Sequence, residues 1–255
     1  MEIERHTVIR IAACAVVSLL VLSYLGQVSR YVLGYPTLFG LVDLFYVDEE
    51  ANLPTAYQFL ALLSCAIVMA ITPHDSYRQR WRLLAVIFAY LAFDEVAGIH
   101  ELTMAPLERG FGPMQGAWSP KWVIPGLLAV AAVGFAYLKF LFHLERREQV
   151  QVVVAAALFV GGAAGMEMLT GALVDNSDPA FKLNLAYASL THVEEGMEMF
   201  GILVFQDFLL RRSGTITLAT EAAARSRRTA SRPVPAAAGT PTPAPAPAAR
   251  VAARR

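Results

Sequence analysis

The chain has 255 residues, 56% of them hydrophobic and 16% charged, and its 21 basic and 21 acidic side chains cancel to a formal net charge of zero. The apolar residues fall into long continuous blocks instead of the short periodic stripes of a soluble core, which excludes an ordinary water-soluble domain and points to a membrane protein. The partners expected of such a chain are membrane lipid and a hydrophobic substrate, not nucleic acid.

Six blocks reach the roughly 20 residues needed to cross a hydrocarbon layer. They predict spans near residues 7–28, 54–72, 82–100, 120–142, 150–173 and 190–210. Continuous apolar runs are not the ten-residue alternations of a barrel, so the fold class is all-α: a six-helix transmembrane bundle over 1–212. Arg5 and Arg10 precede the first run, but "QVSRYVLGYP" after it has no good cleavage site, so it reads as an uncleaved span. The second opens at "DEEANLP", with Asn52 as cap and Pro54 in the first turn. The sixth is expected to start at His192 with Thr191 as its cap. Cys14 and Cys65 have no partner spacing and read as two inert buried thiols. Residues 213–255 are Pro and Ala rich, basic and without apolar period, and are expected to be a disordered tail.

Six spans put both termini on one side. That side carries 17 of the basic residues and the other carries four, Arg30, Arg109, Lys121 and Lys182, which predicts cytoplasmic termini and an inner-membrane location. The acids run the other way, with 14 of 21 in the outer half, so the zero net charge hides a dipole of about minus 10 outside and plus 10 inside.

Depth sharpens the point. At 1.5 Å per residue, Glu198, Glu167 and Asp94 each sit roughly 9 to 10 Å below the outer end of their spans. A second tier above them holds His100, Glu101, His192, Glu194 and Glu195, with Asp48, Glu50 and Asn52 at the start of the second span. Asp94 and Glu101 are seven residues apart and share a helical face, while His192, Glu195 and Glu198 point into one sector.

Carboxylates that converge inside a bundle repel one another and need protons, basic partners or a metal ion. No Lys or Arg lies at that depth in the outer half, which leaves metal or protons. A carboxylate set with one or two histidines suits iron or manganese, as one ion or two, and with less histidine calcium or magnesium. Three-histidine zinc is excluded, because only His100 and His192 are on this side. The expected metal ligands are Asp94, His100, Glu101, Glu167, His192, Glu195 and Glu198, with Asp48 and Glu50 as additions. Glu95 and Glu194 are the expected base or outer-shell groups. Plain readings compete: acids in a first helical turn explain Glu194 and Glu195, solvated acids explain "DEEANLP", and His100 and Glu101 can be interface residues. The glycines around Glu167 favour close helix packing, but a carboxylate in that contact must still meet a partner.

At "FDEVAGIHE", "GGAAGMEML" and "VEEGMEMFG" the sequence resembles a family of small bacterial multi-span membrane proteins with an "LDE" and "HE" pair in the third span; Phe93 stands here for the leucine. The resemblance covers about residues 35–210 and implies six helices and an acidic outer site. "EEANLPTAYQFL" also resembles the alkaline ceramidase superfamily, though the chain lacks an HxxxH pair. These readings lead to a metal-dependent membrane enzyme acting on a lipid or other hydrophobic substrate. The alternatives are a cation or proton-coupled transporter, or an accessory subunit whose acids meet a partner's arginines.

Overall fold

A computed structural model of the chain describes residues 5–72, 76–175 and 179–213. The expected tail from 214 onward lies outside the described residues. Among those that are described there is helix and loop and no strand. The long helices are α1 (Arg5–Tyr31), α3 (Leu53–Ile71), α4 (Arg78–Ala97), α6 (Val123–His143), α7 (Arg146–Val160) and α9 (Leu185–Ser213). Shorter ones are α2 (Leu41–Phe45), α5 (Met104–Phe111) and α8 (Glu167–Asp175). A π-helical turn, Gly161–Met166, joins α7 to α8 in one rod.

Among the described residues four elements are long and apolar enough to cross a membrane: α1, α3, α6 and the rod from Arg146 to Val174. A fifth arises if α4 and the segment His100–Phe111 count as one span, bent by 79°. Their outward faces are apolar too. Leu128, Phe135 and Phe142 of α6 are 67%, 81% and 70% exposed, a surface that water disfavours and lipid accepts.

The sixth block differs from the others. α9 is 29 residues, about 43 Å, but carries Glu194, Glu195, Glu198, Asp207, Arg211 and Arg212. Such a helix is tolerated because it is enclosed: α1, α3 and α7 pack along it, and Thr191, Glu198, Met199, Ile202, Phe205 and Phe208 are buried.

Expectation and structure part in three places. α9 begins at Leu185, not His192, because Asn184 caps it: Tyr187 N donates to Asn184 Oδ1 at 2.9 Å. Thr191 is therefore inside the helix, its hydroxyl donating to Ala188 O. Glu198 falls 13 residues from the helix start, roughly 20 Å, twice the depth counted from His192. The helix expected as the third span, α4, stops at Ala97, where Gly98 takes φ +53°, a left-handed cap that a glycine adopts freely. His100 and Glu101 lie past that break, so Glu101 does not share a helical face with Asp94. Cys14 is exposed, and only Cys65 is buried. The second span starts as expected, with Thr55 N donating to Asn52 Oδ1 at 3.1 Å and Pro54 in the first turn.

One half of the bundle is a dry core. Trp81 and Ala85 of α4, Cys65 and Met69 of α3, Phe140 of α6 and Ile202, Phe205 and Phe208 of α9 pack together. Trp81 meets Phe140 edge to face at 4.9 Å, and Phe88 stacks on Phe205 at 4.6 Å. The other half of the same helices holds the acids.

Candidate functional site

Gln58, five residues into α3, is the hinge of the acidic half. It is 2% exposed, and its Nε2 donates to Glu95 Oε1 on α4 at 2.9 Å and to Glu195 Oε2 on α9 at 2.8 Å. Its carbonyl oxygen Oε1 is buried without a partner. Glu198 follows Glu195 by one helical turn and is 9% exposed. It lies in the electrostatic field of Glu195, Glu95, Glu194 and Glu167. Gly162 makes room for it: a Cβ there would stand 2.8 Å from Glu198 Cγ and 2.7 Å from Glu194 O.

Glu167 reaches the same group because of the π turn. Five residues of α-helix would set Glu167 about 140° round from Gly162. The wider π turn removes much of that rotation and swings Glu167 toward α9. There its carboxyl lies beside that of Glu194, with the Trp122 side chain near it as well. Two carboxyl groups in such contact need a proton or a cation between them.

Asp94 is elsewhere. Its Oδ1 accepts from the His100 backbone N at 2.7 Å, and its Oδ2 lies 3.1 Å from His100 Nδ1. The acid that faces Gln58 is its neighbour Glu95, about 100° further round the helix. The His100 ring packs on Trp122 at 4.7 Å and lies in the field of Glu101 and Glu167. With Nδ1 on a carboxylate, its Nε2 is the nitrogen that remains for a ligand.

The remaining expected ligands divide. Glu101 and Glu50 converge on Gly98, whose added Cβ would meet Glu50 Oε1 at 3.0 Å and Glu101 Oε2 at 3.7 Å. Asp48 sits in the loop before α3 and accepts from the Tyr46 hydroxyl at 3.2 Å. Desolvation by the surrounding protein pushes its carboxyl up to about 6 although one edge stays exposed; Glu49 and Glu167 push the same way. His192 turns away from the acids. Its ring lies between Tyr24 and Tyr46, with Nδ1 on Ala188 O and Nε2 buried without a partner.

The grouping of the acids differs from the one expected. Glu95 and Glu194, expected as auxiliary groups, stand inside the cluster with Glu167, Glu195 and Glu198, while Asp94 and His192 stand outside it. Gln58, Trp122 and Tyr46 were not anticipated; a glutamine inside the apolar "TAYQFLALL" was the available signal, since a buried amide in a span needs partners. Among the described residues, no Lys or Arg forms an ion pair with Glu95, Glu167, Glu194, Glu195 or Glu198. Among them, too, no three His, Cys, Asp or Glu side chains are gathered tightly enough to hold a metal ion as they stand. The acids are spaced by the Gln58 amide on one side and joined as the Glu167 and Glu194 pair on the other. A cavity of about 420 Å³ lined by Met114, Gln115, Trp118 and Ile124 includes none of these acids.

Residues 8–212 match the family model described as a domain of unknown function, DUF8692, and the chain belongs to that family. No curated protein and no solved structure matches it.

Proposed function

We propose that this member of the family is a six-span inner-membrane protein with cytoplasmic termini, whose acidic half is a metal-dependent active site for a lipid or other hydrophobic substrate. The observation that carries this reading is the convergence of Glu95, Glu167, Glu194, Glu195 and Glu198 from α4, α8 and α9 with no basic residue paired to them among the described residues. Burying that much like charge is unfavourable unless protons or a cation accompany it. The 17 to four division of basic residues supports the orientation, and α9 counts as the sixth span because its charges face protein.

The donor set fits a metal of the iron or manganese kind. Asp94 on Nδ1 orients His100 as carboxylates orient metal-binding imidazoles, Glu101 and Glu167 lie in its field, and Glu194 lies beside Glu167. Side-chain rotation would have to gather these oxygens before they held an ion. A metal held there supplies Lewis acidity or an activated water. Glu194, beside Glu167, is the group placed to take and return a proton. Exposed apolar faces on α1 and α6 give a lipid-soluble substrate its approach from the bilayer.

Transport across the membrane is the weaker reading. The second half of α9 places Ile202, Phe205, Phe208 and Leu209 in the apolar core, and its polar groups are already partnered: Gln206 donates to Ala61 O and Ser64 Oγ, and Asp207 pairs with Arg5 and Arg211. The test is elemental analysis of protein purified in mild detergent, beside His100→Ala and Glu167→Ala variants. Near-stoichiometric iron or manganese in the parent and its loss from both variants is expected. The same metal content in all three, or none in the parent after reloading, overturns the reading.

A further inference from the structure

The connection between α1 and α3 has the position of an aqueous loop but not its composition. From Tyr31 to Val42, "YVLGYPTLFGLV", twelve residues pass without a charge. Val32, Leu33 and Tyr35 are more than half exposed, and Phe39 stands entirely clear of the protein. The backbone is strained to put it there. Leu38 and Phe39 take φ +42° and +59°, the left-handed region that side chains other than glycine disfavour, and Gly40 follows at +87°. Strain of this kind persists only where the surroundings offset it, and water around a bare phenyl ring adds to the cost instead.

Depth and backbone chemistry point to what surrounds the segment. It does not rise away from α1 but folds back along it. Val42 of α2 lies against Gly26, where an added Cβ would stand 3.5 Å from Val42 Cα, and Val47 N donates to Ser23 Oγ at 3.1 Å. Ser23 is seven residues before Arg30, so the return reaches about 10 Å below Arg30 along the helix. The exposed stripe Val21 and Leu25 of α1 runs on, at helical spacing, into Val32. Because α1 is long and apolar enough to cross a membrane, lipid against that stripe is continuous with lipid against the segment. The segment also keeps its polar groups inside. Ser29 Oγ donates to Tyr35 O at 3.1 Å, Arg30 Nε donates to Pro36 O at 3.1 Å, and Gly40 N and Val42 N both donate to Thr37 O. Backbone groups satisfied from within are a requirement near hydrocarbon and not in water.

We propose that residues 32–44 form a wedge set into the membrane leaflet beside the acidic half, with Phe39 among the acyl chains just beneath the headgroups. Arg30, paired with Asp43 and bonded to Pro36 O, pins its base. Tyr46 and Asp48 follow the wedge directly; Tyr46 packs on His192 of α9 and donates to Asp48, so the wedge ties the lipid surface to the wall of the acidic half. This inference rests on the chain lying in a membrane and not on any metal.

The experiment is spin labelling of the full chain, with Cys14 and Cys65 replaced by serine, in liposomes of phosphatidylcholine and phosphatidylglycerol. Labels are placed singly through Phe39→Cys and Leu33→Cys, with Phe135→Cys on the exposed face of α6 as the lipid reference and Arg147→Cys, at the start of α7, as the water reference. Collisions with oxygen, which concentrates in lipid, are compared with collisions with a polar nickel chelate, which hydrocarbon excludes. The ratio of oxygen to nickel collisions at Phe39 and Leu33 should match that at Phe135 and exceed that at Arg147 by about tenfold. Ratios at both positions that match Arg147 overturn the wedge. So does shielding from both reagents, or a dipolar broadening that vanishes on dilution with unlabelled protein, either of which makes a second copy the occupant. Nickel collisions at Phe135 as frequent as at Arg147 would remove the membrane placement itself, and the wedge with it. Loss of bound metal from the protein, by contrast, leaves all four ratios unchanged.

Discussion

The same three helices, α3, α4 and α9, run through both halves of the bundle and build opposite interiors. In one half Trp81, Cys65, Met69, Ile202, Phe205 and Phe208 close on one another with no charge among them. In the other, one helical turn along α9, Glu195 and Glu198 meet Glu95 and Gln58. The first interior is explained by packing alone, and any polar group placed there would lose its hydration for nothing in return. The second is a poor way to hold helices together, since a core filled with like charge is stabilised by what joins it and not by itself. Stability and chemistry are segregated along the helix axis.

The largest effect should come from breaking that segregation. Ile202→Glu, at a position 3% exposed in the dry half, should destabilise by about 3–5 kcal/mol, the range for an uncompensated buried charge. Glu198→Gln, four residues earlier, removes a carboxyl from a crowded set and should leave stability unchanged or raise it. Thermal unfolding in detergent compares the two, and equal losses would mean that the halves do not differ.

The glycines sharpen the comparison. A Cβ at Gly201 would stand 2.8 Å from Phe159 N and 2.9 Å from Ala155 O, and one at Gly162 would meet α9 as closely. Alanine at either should overpack the contact between α7 and α9 by about 1–3 kcal/mol. Only Gly162→Ala should also lower the metal content, because it alone displaces Glu194 and Glu198.

Asp94→Asn acts through His100. The ring would lose its carboxylate and keep its place against Trp122, and metal affinity should fall by about 10- to 100-fold with little change in stability. The smallest effect is at the cap of α9. Asn184→Ala should cost about 1 kcal/mol and leave metal content alone, because the cap lies more than two turns from the acids.

Much of the helical content was legible, because an apolar run of twenty residues admits few other structures. The breaks were harder. Gly98 in "AGIHE" announces the end of α4, but spacing alone placed Glu101 on the helix with Asp94. The start of α9 was misplaced because the acids after Thr191 imitate a first turn, whereas Asn184 and the helix-favouring "LAYASL" begin it earlier. Whether Asp94 or Glu95 faces inward depends on the rotation of α4, which two adjacent acids leave open. The π turn had no sequence signature beyond its glycines, since it is set by how closely α9 approaches Gly162. Gln58 has no charge to mark it, and an amide within an apolar run reads as one more helical residue.

The central claim is that acids on α4, α8 and α9 face one another. Oxidative cross-linking tests it without assuming any ligand: Glu167→Cys with Glu194→Cys, in a background with Cys14 and Cys65 replaced by serine, in native membranes. The account predicts rapid disulfide formation for this pair and none for Glu167→Cys with Phe135→Cys, whose side chain on α6 is 81% exposed. Failure of the first pair to cross-link, or equal cross-linking of the two, would contradict it.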